Sequence, residues 1–351
     1  MNAKDIEPPR QRDSSDNRQP TAPTASGVAH PWRRRITRLL LAALIGLVVL
    51  ALVGAAVEAL LERRDQRVYT APGELVDVGD GRRLHLLARG AEHDGPTVVL
   101  EAGTGAFSLD WAWVQSKVAE HATVVSYDRA GLGWSDPRQD DLTASGAVAD
   151  LRAALDAQGI NVPYILVGHS TGGFLIRAFA DTYPDDTAGL VFVDASHEDG
   201  FVIDSDSGQR TGIDWVSRVA QGLARVGVVR VFNQFGQADL PRDQQGAYLA
   251  MTSTPGYIAA SIDEYGAVNR LARSMGDTRD LGDIPVRVLS ASDGDADFAA
   301  LQPDLATLSS NGRHDVIEGS NHSSIIGQQD NASEVSAAII DLLDTVQSPS
   351  D

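Results

Sequence analysis

The chain has 351 residues, 43% of them hydrophobic and 22% charged, which is ordinary for a globular protein and enough for one large domain with an insertion or two smaller ones. Its net charge of −19 is uneven: residues 1–38 hold 8 Lys/Arg against 4 Asp/Glu, so the remaining 313 residues carry −23, which argues against nucleic acid as a partner. The absence of cysteine excludes a disulfide framework, a thiolate metal site and a cysteine nucleophile, and it leaves the redox compartment open.

Residues 1–31 are rich in Pro, Ser, Asp, Arg and Gln and cannot bury enough surface to offset the entropy of ordering, so a disordered tail is expected. Arg33, Arg34, Arg35 and Arg38 then precede an uncharged run over residues 39–57, closed by Glu58 and by Glu62-Arg63-Arg64. The run is close to the roughly 20 residues that cross a bilayer as a helix, and a transmembrane anchor is expected over residues 36–58. Basic residues on its N-terminal side place the tail in the cytoplasm and the bulk of the chain outside. The alternative is a secreted form cleaved near Gly54-Ala55-Ala56, although the run exceeds the usual length of a signal-peptide core.

From residue 74 the pattern changes to short apolar segments separated by Gly and Asp. Residues 74–78 and 83–88, joined by Gly79-Asp80-Gly81, predict a hairpin. Residues 97–100 and 122–127 predict buried strands, and residues 142–158 an amphipathic helix. Residues 162–173, Val-Pro-Tyr-Ile-Leu-Val-Gly-His-Ser-Thr-Gly-Gly, read as strand, sharp turn and helix with Ser170 at the tip. Such a turn crowds the positions two before and two after the serine, and Gly168 and Gly172 relieve that crowding. Composition alone supplies G-x-S-x-G about 0.2 times in such a chain, so the flanks decide its meaning.

The helix out of the turn is predicted over residues 171–183 and a further strand over 189–193, ending at Asp194. Strands alternating with helices indicate βαβ units and a mostly parallel sheet. Residues 197–283 lose the alternation and carry Trp215, Phe232, Phe235, Tyr248, Tyr257 and Tyr265 among helical spacings, as a helical insertion would. The pattern returns with a strand at 286–289, a helix near 299–308, a strand at 313–318, a loop holding His322 and a last helix from 332 to about 346.

This order resembles the α/β-hydrolase fold over roughly residues 70–347, with a core of residues 70–196 and 284–347 and a helical cap over 197–283. Ser170 matches the family's nucleophile, Ala102-Gly103-Thr104 its oxyanion loop, and residues 128–135 its turn after the fourth strand; His322 follows the last strand. The anchor with Glu101-Ala102-Gly103, Gly168-His169-Ser170 and residues 193–197 is similar to a group of bacterial membrane-anchored serine hydrolases.

A serine hydroxyl is a poor nucleophile near pH 7 and needs a base within hydrogen-bond reach, a role histidine fits best. His30, His85, His93, His121 and His314 stand in the tail or on or beside strands, His169 must point elsewhere on the turn, and His197 reads as structural; His322 remains. The resemblance implies an acid to orient His322, and it leaves Asp194 ahead of Asp293, with Asp295 third. It also implies an oxyanion hole from the backbone N–H groups of Thr104 and Thr171, while residues 128–135 read as a structural turn. The expected activity is cleavage of an ester or other small acyl compound, with no cofactor or metal. Peptidase, C–C hydrolase or cofactor-free haloperoxidase chemistry on the same fold is the alternative, and a non-catalytic surface binding protein the second. Epoxide hydrolases and haloalkane dehalogenases use an aspartate where Ser170 stands.

Overall fold

A computed structural model describes residues 31–201, 210–233, 239–276 and 280–348; the expected tail therefore lies outside the described residues except for Pro31. The chain divides into two compact units, Met1–Leu50 and Ala51–Asp351. Helix α1 runs over Pro31–Val68. Among the described residues it is the one helix long and apolar enough to cross a membrane. It extends past the expected 36–58 at both ends, because its flanks are rich in Arg, Glu, Leu and Ala, good helix formers, and it stops four residues before Pro72.

The second unit is built on one eight-stranded sheet. Strands β1 (Glu74–Asp77) and β2 (Arg83–Arg89) form the expected hairpin, whose turn needs positive φ at Gly79, Asp80 and Gly81. Next come β3 (Thr97–Glu101), α2 (Ala112–Val118), β4 (Val124–Tyr127), α3 (Ala144–Ala157), β5 (Tyr164–His169), α4 (Gly172–Thr182) and β6 (Thr187–Val193). The insertion carries α5 (Arg210–Arg225), α6 (Val228–Asn233), α7 (Gln245–Thr252) and α8 (Pro255–Ser274). The chain closes with β7 (Val286–Ala291), α9 (Ala296–Ala306), β8 (Gly312–Ile317), α10 (Ser324–Gly327) and α11 (Gln329–Gln347).

The sheet order is β1-β2-β4-β3-β5-β6-β7-β8, with β2 antiparallel to both its neighbours and every other pair parallel. Strands β3, β4 and β5 are buried at every residue, as strands covered on both faces must be, and each is built around a short run of Val, Ile or Leu. Leu151, Leu155, Phe174 and Phe179 of α3 and α4 fill one face. Val114 and Val118 of α2 with Val335, Ile339 and Leu342 of α11 fill the other. Helix α2 escapes the sequence reading because seven residues are too few to display a helical period. Helix α9 starts earlier than expected because the Asp295 carboxylate accepts from the N–H groups of Asp297 and Phe298 and caps it.

Of the aromatics expected in the insertion, Tyr248 and Tyr257 pack with Phe107 and Leu132 in a third cluster, where the Phe107 and Tyr248 rings stack at 5.2 Å. Trp215, Phe232 and Tyr265 are exposed, and Phe235 lies outside the described residues.

Candidate active site

The carboxyl ends of β3, β5 and β6 and the loop after β8 meet on one side of the sheet. At the end of β5 the chain turns into α4 through Ser170, whose φ of +54° is rare for a residue with a side chain. The turn is held by Ser170 N–H to Val193 O (3.3 Å), Gly173 N–H to Ser170 O (3.0 Å) and Ser196 N–H to Ser170 O (2.8 Å). No side chain fits beside it: a Cβ at Gly168 would stand 2.7 Å from Gly172 O, and one at Gly172 2.5 Å from Glu101 O.

The next strand ends in a similar way. Asp194, after β6, has φ +42° and its N–H bonds Leu289 O at 2.6 Å. One carboxylate oxygen accepts from Ala291 N–H (3.0 Å), and the other lies 2.6 Å from His322 Nδ1. His322 Nε2 stands 3.0 Å from Ser170 Oγ. Because a carboxylate only accepts, Nδ1 carries the proton toward Asp194 and Nε2 is left to accept from the Ser170 hydroxyl. Burial on its own would raise the Asp194 carboxyl, but its bonds from His322 and Ala291 outweigh that and hold it below the ordinary range.

The structure thus brings Ser170, His322 and Asp194 together. It does not bring the other two aspartates there: Asp293 accepts from Ser292 Oγ (3.3 Å) in an exposed loop, and Asp295 caps α9. His197 bonds Asp304 (2.9 Å) and Asp199 N–H, and His314 bonds Ser290. Residues 128–135 form a turn around the Asp128 carboxylate, which accepts from Ser108 N–H, Trp134 N–H and His85 Nδ1.

His169, expected to point elsewhere on the turn, reaches the loop after β8. Its Nε2–H donates to the His322 carbonyl at 2.8 Å, the two rings lie 4.8 Å apart, and the Phe298 ring stands edge-on to His322 at 5.8 Å. His322 is therefore held through its backbone and contacted by two rings. Since Nε2 donates, Nδ1 is unprotonated, and this buried atom has no hydrogen-bond partner among the described residues. Burial, followed by the neighbouring His322, pushes His169 down to about 4.

The loop after β3 lies against the serine, since a Cβ at Gly103 would stand 2.8 Å from Ser170 Cβ. The Thr104 and Thr171 hydroxyls bond each other at 2.8 Å. A buried ion cluster that the sequence reading did not find fixes this loop. Arg129 commits all five of its N–H groups: Nε and Nη2 to Glu264 (2.8 Å each), Nη1 to Glu101 and to Ala102 O (2.6 Å each), and Nη2 also to Gly103 O (2.6 Å). The Tyr127 hydroxyl donates to Glu101, and Glu264 accepts from Gly105 N–H at 2.8 Å. In a trans peptide the carbonyl and the following N–H point in opposite directions, so anchoring Gly103 O on Arg129 turns the Thr104 N–H away from it. The available signal was Glu101 itself, a carboxylate closing a run that is otherwise apolar and buried. Burial pushes the Glu101 carboxyl up despite Arg129.

A family model described as "Alpha/beta hydrolase family" matches residues 98–338, more than half of the chain. The chain belongs to the alpha/beta hydrolase family. Among solved structures similar to this chain are the epoxide hydrolase CorEH (TM-score 0.61, 19% identity, 78% of this chain and 98% of that one) and a thermophilic esterase from Thermogutta terrifontis (0.57, 19%, 78% and 98%). At such identities they establish the fold. Two curated relatives are similar over shorter stretches. "Probable transporter efuK" of Hormonema carpetanum is 35% identical over 129 residues, which is 35% of this chain and 18% of that protein. "Uncharacterized protein YqjL" of Bacillus subtilis is 32% identical over 115 residues, 33% and 45% of the two chains. The chain thus spans about a fifth to a half of these relatives' lengths.

His169 binds its proton at about pH 4 when folded and near 6.5 when unfolded, so between those values the unfolded state holds more protons and stability rises with pH. Its contribution, about 3 kcal/mol, is complete above pH 6.5 and lost as the pH falls through 4. Chemical unfolding of His169→Gln, which keeps an N–H donor for the His322 carbonyl, should show a weaker pH dependence over that window than the wild type. Arg129→Met leaves Glu101 and Glu264 buried without their cation and should cost about 3–5 kcal/mol, read from the shift in denaturant midpoint.

Proposed function

We propose that the protein is a serine hydrolase that cleaves an ester or other small acyl compound through Ser170, His322 and Asp194. The observation that carries this reading is the single imidazole of His322, 2.6 Å from Asp194 on one side and 3.0 Å from Ser170 Oγ on the other. Ser170 Oγ attacks the acyl carbon as its proton passes to His322 Nε2, and Asp194 stabilises the imidazolium. The oxyanion forms against the N–H groups of Thr104 and Thr171, which the adjoining loops hold beside the serine. The tetrahedral adduct collapses, His322 hands the proton to the leaving oxygen, and an acyl-serine remains. Water then attacks, giving up its proton to His322, and the acid is released with Ser170 restored. That Ser170 is a serine supports an acyl-enzyme over the aspartyl chemistry of epoxide hydrolases or dehalogenases, despite the shared fold.

In this reading residues 70–196 and 284–347 are the core and residues 197–283 the cap. Residues 36–58 anchor the protein in the cell membrane, with the N-terminus cytoplasmic and the catalytic part outside; the apolar helix Trp32–Val68 and the basic cluster before it support this.

A fluorophosphonate probe should label the wild type and fail on Ser170→Ala, and labelling elsewhere or retained p-nitrophenyl ester hydrolysis by that variant would refute the assignment. Asp194→Asn should lower kcat by about 10⁴ with KM little changed, whereas Asp293→Asn should stay close to wild type. For the topology, protease added to intact cells should digest residues 70–351, and their protection would place the domain inside.

A further inference from the structure

Helix α5 is turned inside out. Its inward face carries Ala224, fully buried, and half-buried Ala220, whereas Trp215 (61% exposed), Val216, Val219 and Leu223 stand in the open. At 100° per residue those four side chains fall within one arc of about 100°, on the side away from Ala224. Helix α6 continues the pattern with Val231 and Phe232, the latter 70% exposed. Single exposed apolar residues mean little, but a surface helix that buries its small residues and exposes its large apolar ones reverses the arrangement water favours.

Two further observations say what covers this face. The junction between α5 and α6 sits beside the end of the uncharged run of α1: a Cβ at Gly54 would stand 2.6 Å from Val226 O. Just beyond, Arg230 of α6 bonds Glu58 (2.7–3.0 Å) and Asp65 (2.8 Å), so Glu58, the first charge after the run, is neutralised by the same segment that bears Phe232. Charge is also local. Residues 210–233 hold four arginines and one aspartate, against −23 for residues 39–351 as a whole, and exposed Arg218 and Arg225 border the apolar arc. A large apolar face flanked by arginines suits the boundary between acyl chains and anionic headgroups.

We propose that α5 and α6 lie in the headgroup boundary of the bilayer that α1 crosses, so that the lipid surface is the partner of the exposed face of the insertion. The proposal rests on the reading of α1 as a membrane span. It adds a second, in-plane contact made by residues far from the span in sequence.

The chain has no cysteine, so one introduced cysteine carries one nitroxide label. The test uses full-length protein in vesicles of phosphatidylcholine and phosphatidylglycerol, labelled at Val219→Cys or Phe232→Cys. Leu47→Cys reports the span and Arg313→Cys, on exposed β8, reports water. Collisions with oxygen report lipid and collisions with a water-soluble nickel chelate report solvent. Labels at 219 and 232 should resemble the one at 47, with nickel collisions several-fold rarer than at 313. If 47 reports lipid while 219 and 232 report water, the span stands and the proposal falls. Shielding of 219 and 232 from both reagents, the mark of a protein partner, also overturns it. Water at 47 removes the span and the proposal together.

Discussion

Arg129 is the point on which the geometry around the serine depends. A guanidinium buried between two carboxylates is stable only when every donor and most lone pairs are used, because desolvating three ions costs more than their attraction returns unless the geometry is complete. Here it is complete on the donor side, and the acceptors come from two stretches far apart in the chain: Glu101, Ala102 O and Gly103 O, where β3 runs into the loop after it, and Glu264 of helix α8. The same bonds that settle the charge also orient the Gly103–Thr104 peptide. Electrostatics and backbone direction are one constraint at this place.

The second constraint is local strain held by the sheet. Ser170 and Asp194 end adjacent parallel strands, and both adopt positive φ at a cost of about 1–3 kcal/mol each. Neither would persist alone. Each is fixed by backbone bonds to the neighbouring strand's end, Ser170 to Val193 and Asp194 to Leu289, so the sheet over-determines the turns. The result is that two side chains leave the sheet within reach of one imidazole. An acid after β7 would have to reach the same ring from a loop already engaged with Ser320 through the Asp293 N–H.

What the sequence shows and what it hides divide along physical lines. Buried parallel strands must be continuous apolar runs, so β3, β5 and β6 can be read directly, and the glycines at 168 and 172 mark a turn that excludes side chains. Short elements such as α2 have no period to show. Contacts between distant segments are hidden for a different reason: the partner of Arg129 lies 135 residues away at Glu264, inside a helix whose exposed and buried polar residues look alike in sequence. His169 is the sharpest case. Its place beside Ser170 shows that it must point elsewhere on the turn but not where: the loop after β8 brings the His322 carbonyl to its Nε2.

Helix α8 joins these constraints to the insertion. Glu264 gives both oxygens to Arg129 and accepts Gly105 N–H as well, and one turn earlier the helix presses Ser261 against Gly105, while Tyr257 OH donates to Gly105 O at 2.6 Å. Swinging α8 off the loop would break these bonds together and leave buried charges unpaired, a cost of several kcal/mol with nothing to offset it. The loop that carries Thr104 and helix α8 are therefore fastened as one piece by Arg129, Glu264 and Tyr257.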